Sequence, residues 1–217
     1  VAKDLAIVLN NGSINSAVVT ALASQRYRPI LLHGEASAQP ESRSRAAYEQ
    51  QVAHFKPYRE YAIPLAFMSH VPANSPMVAA DPRQTIPIGP QLIDLLPLIS
   101  VAARLAAHHE AAAIYLGLRT GPAADELAQA TEYLQVWNEL IQMPCSRGEL
   151  NVVAPLLELD PWQVIDVGFQ VNAPFDRTWS CLEEGSDPCL ACRGCRSREA
   201  AFQQAAKPDP LAIVRKA

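Results

Sequence analysis

Short apolar runs, each cut off by a small polar or proline-bearing cluster, set the rhythm of this chain. Leu5-Ala6-Ile7-Val8-Leu9 stops at Asn10-Asn11-Gly12-Ser13. A run without alternation predicts a central parallel strand, buried on both faces. Ile14 to Ala23 follows as a helix. Pro29-Ile30-Leu31-Leu32-His33 predicts a second strand closing at Gly34, Ser42 to Phe55 a second helix, and Tyr61 to Phe67 a third strand. Pro64 has no ladder donor, which puts that third strand at an edge or ends it early. From Met68 to Pro90 five prolines leave no regular period, and the stretch is expected as a binding loop over the carboxyl edge of the sheet. Leu92 to His109 reads as a largely buried helix that Pro97 kinks or delays.

The pattern continues to the C-terminus. Ala112 to Leu116 predicts a fourth strand, and Asp125 to Met143 a long amphipathic helix stopped by Pro144. Asn151 to Ala154 is a short fifth strand. Asp160-Pro161-Trp162-Gln163 spells a helix start, with Asp as N-cap, Pro at the first position and Gln reaching back. That helix runs to Gly168. The last begins at about Ser197 and ends near Ala206, before Pro208 and Pro210. Such alternation predicts an α/β fold: a five-stranded, mostly parallel sheet with helices on both faces.

Four of the five cysteines break this rhythm. Cys181, Cys189, Cys192 and Cys195 lie within fifteen positions, separated by seven, two and two residues. Two overlapping C-x-x-C units and one outlying thiolate suit a tetrahedral zinc ion. A site filled by four sulfurs is closed, so zinc here would fasten a loop rather than activate water. Three other readings stay open. An iron–sulfur cluster would find Glu199 where its compact ligand run needs a fourth thiolate. Disulfides would need an oxidising compartment, and buried thiols need no metal at all. Cys145, after Met143-Pro144, reads as idle or buried.

The 217 residues divide by this reading into an α/β domain over 1–175 and a zinc-binding loop with a C-terminal helix over 176–217. A net charge of -4, with 49% hydrophobic and 18% charged residues, gives no broad cationic surface for nucleic acid. No run is expected to reach the length of a membrane span, and no export signal stands at Val1 onward, so the expected location is the cytoplasm. The apolar helices 92–109 and 125–143 are compatible with a homodimer or a protein complex.

Chemistry is expected where the first strand meets the first helix. Asn11, Gly12, Ser13, Asn15 and Ser16 occupy a strand–loop–helix junction, where backbone N–H groups and a helix N-terminus can cradle an anion. The junction carries neither G-x-G-x-x-G nor G-K-[ST]. His33, at the end of the second strand, lies where open α/β sheets bind ligands. Arg43 and Arg45 read as a solvated helix face.

The C-terminal third resembles the 7-cyano-7-deazaguanine synthases of queuosine biosynthesis, members of the PP-loop ATP pyrophosphatases. The residues that carry the likeness are Pro155-Leu156, Val167-Gly168, Thr178-Trp179-Ser180-Cys181, Glu183-Glu184-Gly185, the three later cysteines and Arg198-Glu199-Ala200-Ala201-Phe202. The resemblance implies an adenine nucleotide alpha-hydrolase-like fold and an ATP loop of the form S-G-G-x-D-S. It also implies ATP- and Mg²⁺-dependent conversion of 7-carboxy-7-deazaguanine to the nitrile with ammonia. Here that loop reads Asn11-Gly12-Ser13-Ile14-Asn15-Ser16, with an amide where the family has a carboxylate. Of the family's Y-G-Q-R-H after the second strand, His33-Gly34-Glu35-Ala36-Ser37 keeps only the glycine. Gly117 to Asp125 lacks the base-recognition string, and Pro161 stands where a lysine is usual. A kept scaffold with an altered site implies a divergent member that binds a nucleotide or deazapurine-like molecule with weak or lost activity. The other expectation is a changed ATP-dependent reaction in which Glu35, Asp125 or Glu126 supplies the missing carboxylate.

Overall fold

The computed structural model describes residues 4–35, 42–65, 88–120, 124–145, 150–183 and 185–213. The expected loop over 68–90 falls mainly outside these residues, as does the side chain of Cys145. Five strands form one parallel sheet: β1 (Leu5–Leu9), β2 (Arg28–Glu35), β3 (Arg59–Pro64), β4 (Ala113–Tyr115) and β5 (Asn151–Val153). Their order is β3-β2-β1-β4-β5. The chain moves outward from β1 in one direction and then returns to its other side, so the carboxyl ends of β1 and β4 flank the topological switch point. Pro64 ends β3 on the sheet's edge, where its missing N–H breaks no ladder.

Both faces of the sheet are covered, which explains why the inner strands read as continuous apolar runs. Ile7, Leu9, Ile30, Leu32 and Ile114 point to one face. There they meet α3 (Ile88–His109) through Leu92 and Ile99, and α4 (Ala124–Cys145) through Trp137 and Ile141. Val8 and Leu31 point to the other face. They pack with Val18 and Val19 of α1 (Ile14–Arg26), Tyr48 of α2 (Arg43–Phe55), Val164 and Ile165 of α5 (Pro161–Gln170), and Phe202 of α6 (Arg193–Gln204). The helix that Cys192 caps and that carries Cys195 therefore shares its core with the sheet.

Three helices depart from the sequence expectation. α3 begins at Ile88 and continues through Pro97 instead of starting late. Pro97 leaves the Ile93 carbonyl without its helical donor, but Ile93 is 61% exposed and that edge of the helix faces solvent. Nor is α3 largely buried: Ile88, Leu92, Ile99, Ala102 and Ala106 form one inward stripe. Contrary to the expectation from sequence, at 22 residues it also meets the length and hydropathy of a membrane span. Asp94 and Arg104 lie on it, and its stripe packs on the sheet. α4 carries Pro144 within its last turn. α6 starts at Arg193, four residues early, because the Cys192 sulfur accepts the Cys195 N–H as an N-cap. The Asp160 signal holds: its N–H donates to Gln163 Oε1 at 2.7 Å in a capping box.

A buried ion pair fixes the C-terminal segment. Arg198 is 7% exposed, and its Nε and Nη2 donate to the two Asp209 oxygens at 2.7 Å each. Nη1 reaches Thr178 Oγ1 at 2.7 Å, and Nη2 also reaches Phe175 O at 2.9 Å. This fork joins α6, α7 (Pro210–Ile213) and the 3₁₀ helix Phe175–Arg177. Breaking such a pair from one side strands a charge inside the protein. Asp209→Ala is expected to lower the unfolding free energy by about 3 kcal/mol in urea titrations, with Asp209→Glu recovering part of it.

Candidate functional site

Asn10 leaves β1 with its N–H on Leu32 O at 2.8 Å. Two residues later the backbone must reverse, and Gly12 does so at φ +78. A side chain at that position would also collide with α2. A Cβ on Gly12 would meet Ser44 O at 2.4 Å, Ala47 Cβ at 2.9 Å and Tyr48 N at 3.0 Å. Ser13 then caps α1, its hydroxyl accepting from Ser16 N at 3.3 Å. The expected strand–loop–helix junction is present.

Its donors turn inward. Gly12 N–H donates to Asn10 Oδ1 at 2.8 Å, and Asn11 N–H to Ser16 Oγ at 3.2 Å. Asn11 Oδ1 accepts from Ser13 N–H at 3.2 Å and from Ser16 Oγ at 2.7 Å. A carboxamide oxygen thus holds two donors that an anion oxygen would otherwise attract. The turn from Asn10 to Ser16 contains no charged side chain.

Asn15 closes the other side. Its Nδ2 donates to Gly117 O at 3.0 Å, linking the start of α1 to the chain beyond β4 across the switch point. An aspartate could not make that bond, because two oxygens would face each other without a proton between them. Hard Mg²⁺ prefers charged oxygen ligands, so the residues of this turn do not fit that ion. Of the carboxylates considered as substitutes, Glu35 is paired with Arg45. Asp125 and Glu126 lie in the first turn of α4.

His33 is a brace behind the turn. It is 3% exposed, and its ring stacks on Tyr48 at 4.6 Å and 18°. Nδ1 lies 2.9 Å from Asn10 O and so carries the ring proton. Sequence position alone suggested a ligand contact; the structure turns the ring toward backbone and α2. Asn10 and Gln51, which no motif marked, complete the brace. Asn10 Nδ2 donates to Thr20 Oγ1 at 3.1 Å and to Gln51 Oε1 at 2.8 Å, and Gln51 Nε2 donates to Arg177 O at 3.1 Å. The turn is also tied to the cysteine loop, since Trp179 N–H donates to Gly12 O at 2.9 Å. Arg43 spans the same gap, reaching Gly185 O at 2.9 Å and lying 5.8 Å from the Trp179 ring centre.

The ligand atoms of Cys181, Cys189, Cys192 and Cys195 all lie within 4.8 Å of one another. Cys181 Sγ is 3.6 Å from Cys189 Sγ and 3.8 Å from Cys192 Sγ. A tetrahedron of sulfurs about 2.3 Å from a central ion has edges of about 3.8 Å, so one tetrahedral ion fits. These separations exclude disulfides, which need about 2.05 Å. A multi-iron cluster places each thiolate on its own iron and spreads the sulfurs further. Amide groups already point at the sulfurs: Leu182 N–H at Cys192, and Glu183 and Cys189 N–H at Cys181, over 3.3 to 3.4 Å. Burial opposes ionisation of Cys192, but donors from Leu182 and Cys195 outweigh it and bring the thiol down to about 6. Burial and the neighbouring sulfurs push Cys195 up to about 12.

Burial, the largest effect, holds the His33 imidazole below its ordinary value of 6.5. Its bond to Asn10 opposes this; Arg45 lowers and Glu49 raises the value further. A base depressed in the fold is more protonated when unfolded, so its contribution is complete above about 6.5 and is lost as pH falls through the folded value. Urea midpoints are expected to decline from pH 7 toward pH 5, and His33→Gln to flatten that decline. An equally steep decline in the variant would assign the acid sensitivity elsewhere.

Comparison with known proteins places this geometry in context. The model of queuosine biosynthesis protein QueC matches residues 5–206. A 7-cyano-7-deazaguanine synthase from Chloroherpeton thalassium is 27% identical, with 95% of each chain covered. Another from Aliarcobacter butzleri is 23% identical over 95% of this chain and 94% of the relative. Among solved structures, NMN synthetase from Francisella tularensis aligns at TM-score 0.49 and 12% identity, over 95% of this chain and 79% of that one. Because one family model runs from β1 through the junction and the cysteine loop to the end of α6, the chain belongs to the QueC family of queuosine biosynthesis proteins.

Proposed function

We propose that this chain is a divergent QueC-family protein that binds a nucleotide or nucleobase-like ligand at the carboxyl edge of its sheet, with weak or lost ATP pyrophosphatase and ligase activity. One observation carries the reading: the Asn15 amide sits on the Gly117 carbonyl, where the family's loop has a carboxylate. Activation of a carboxylate by ATP needs charge stabilisation as pyrophosphate departs, which the family reaction draws from Mg²⁺. An amide committed to a backbone oxygen offers no charge for that ion. The start of α1 lies beside the switch point between β1 and β4, the place where an open α/β sheet takes its ligand. A cytoplasmic location is part of the same proposal, and membership of a family of biosynthesis proteins supports it.

The cysteine cluster is assigned to a structural zinc ion held by Cys181, Cys189, Cys192 and Cys195. Bound there, zinc contributes folding free energy and leaves no open position for chemistry. The metal loop then holds the β1–α1 junction through Trp179 and Gly12.

Titration calorimetry with ATP, AMP, 7-carboxy-7-deazaguanine and 7-cyano-7-deazaguanine tests the ligand reading. At least one should bind between micromolar and millimolar concentration, and absence of binding by all four would remove it. With ATP, Mg²⁺, ammonia and 7-carboxy-7-deazaguanine, pyrophosphate release is expected at or near background. Turnover at an ordinary enzymatic rate, about 1 per second or faster, would establish the active alternative instead. Elemental analysis is expected to give one zinc per chain, and Cys192→Ser to lose most of it together with several kcal/mol of stability, about a third of what structural zinc supplies in small domains. Iron in place of zinc, or a metal-free native protein, would refute the assignment.

A further inference from the structure

Beyond the β1–α1 junction, the carboxyl edge carries a cation that the proposed reading leaves unused. Arg119 follows Gly117 by two residues, roughly 7 Å along an extended chain, so it stands near the carbonyl that Asn15 holds. The segment is fixed at its next residue: Thr120 donates to Leu157 O from its N–H at 2.9 Å and from its hydroxyl at 3.0 Å. The Arg119 side chain is half-buried. Among the described residues one acceptor meets its five N–H donors: Leu159 O, 3.4 Å from Nη1, which is long for such a bond.

No carboxylate among the described residues lies within ion-pair distance of that guanidinium. Asp160 is the nearby acid, and its side chain is engaged in the α5 capping box. Arg193, at the start of α6, adds a second positive charge to the neighbourhood. Burial, the largest effect, pulls the Arg119 value down; Asp160 offsets part of this, and Arg193 lowers it by a smaller amount. Asp160, next to the Leu159 that Arg119 touches, borders a cleft of about 360 Å³ together with Trp162 and Gln204. A guanidinium taken partly out of water, with most donors unspent, gains from an oxyanion that accepts two of them in parallel.

The charge pattern therefore runs opposite to that of a divalent-cation site. The turn from Asn10 to Ser16 has no carboxylate, and Arg119 stands two residues beyond the carbonyl that Asn15 holds. We propose that Arg119 is the anion-recognising group at this edge of the sheet and takes a phosphate or carboxylate of the ligand directly, without a divalent cation. The inference rests on the ligand reading above and names the chemistry that the ligand carries.

The test uses the full-length, zinc-containing protein and calorimetry with three probes: inorganic pyrophosphate, 7-carboxy-7-deazaguanine and the neutral 7-cyano-7-deazaguanine. Either anion should bind equally with and without added Mg²⁺, and which of the two binds distinguishes a phosphate from a carboxylate subsite. Arg119→Gln should weaken the anion at least tenfold and leave the neutral probe within twofold, while Arg119→Lys recovers part of the loss. Thermal midpoints and zinc content confirm that both variants are folded. Anion binding that requires Mg²⁺, anion affinity unaltered in Arg119→Gln, or binding of the neutral probe alone would overturn the proposal while leaving ligand binding intact. Failure of all three probes would overturn the proposal together with that reading for these ligands.

Discussion

A backbone that reverses direction inside a protein must find partners for every N–H and carbonyl it exposes. That demand is most concentrated between Asn10 and Ser16, where β1 ends under α2 and α1 begins. The protein meets it almost wholly from its own side chains, with Asn10, Asn11, Ser13 and Ser16 accepting the turn's amides. The neighbouring elements are positioned by what remains. His33 holds the Asn10 carbonyl from β2, Trp179 holds the Gly12 carbonyl, and the Gly117 carbonyl beyond β4 is held by Asn15. The sheet, α2 and the cysteine loop meet around one short reversal.

This arrangement explains why the C-terminal segment belongs to the same mechanical unit as the sheet. Phe202 enters the core beside Val8 and Val18. Gly194 allows the cysteine loop to close on itself, for a Cβ there would lie 1.8 Å from Ser180 O. Cys192 serves twice, as a member of the sulfur cluster and as the cap of α6. Whatever ordering a metal imposes on the sulfurs is passed to a helix that lies against the sheet, and through Trp179 to the turn. Stability gained at the cluster thus reaches a site built from other residues.

Much of the architecture was legible because it is written locally. Apolar runs gave the inner strands, Pro64 marked the edge, and Asp160 to Gln163 marked a helix start. The cysteine spacing pointed to a single coordinating group, and the geometry agrees. The failures have a common physical origin. No propensity scale treats a thiol as an N-cap, so α6 was begun late at Ser197. The effect of Pro97 depends on which side of α3 faces solvent, and its neighbours in sequence do not show that. The role of His33 depends on Tyr48 and on the Asn10 carbonyl, and the setting of Arg119 depends on Leu159 and Arg193, all distant in sequence. Hydrophobic pattern determines which face is buried; it is silent on which polar atoms meet.

The chain of amides from Asn10 through Gln51 to the Arg177 carbonyl has a sense of direction. Each group gives a proton to the next, and the Asn10 oxygen is already taken by Gly12. Neither carboxamide can be flipped, and a carboxylate at either place would set like poles together. Over evolutionary time, drift at position 51 should be tied to the residue at position 10 more closely than to its neighbours on α2. A comparison of family sequences would then show covariation between two sites forty-one residues apart, written by proton direction rather than by shape.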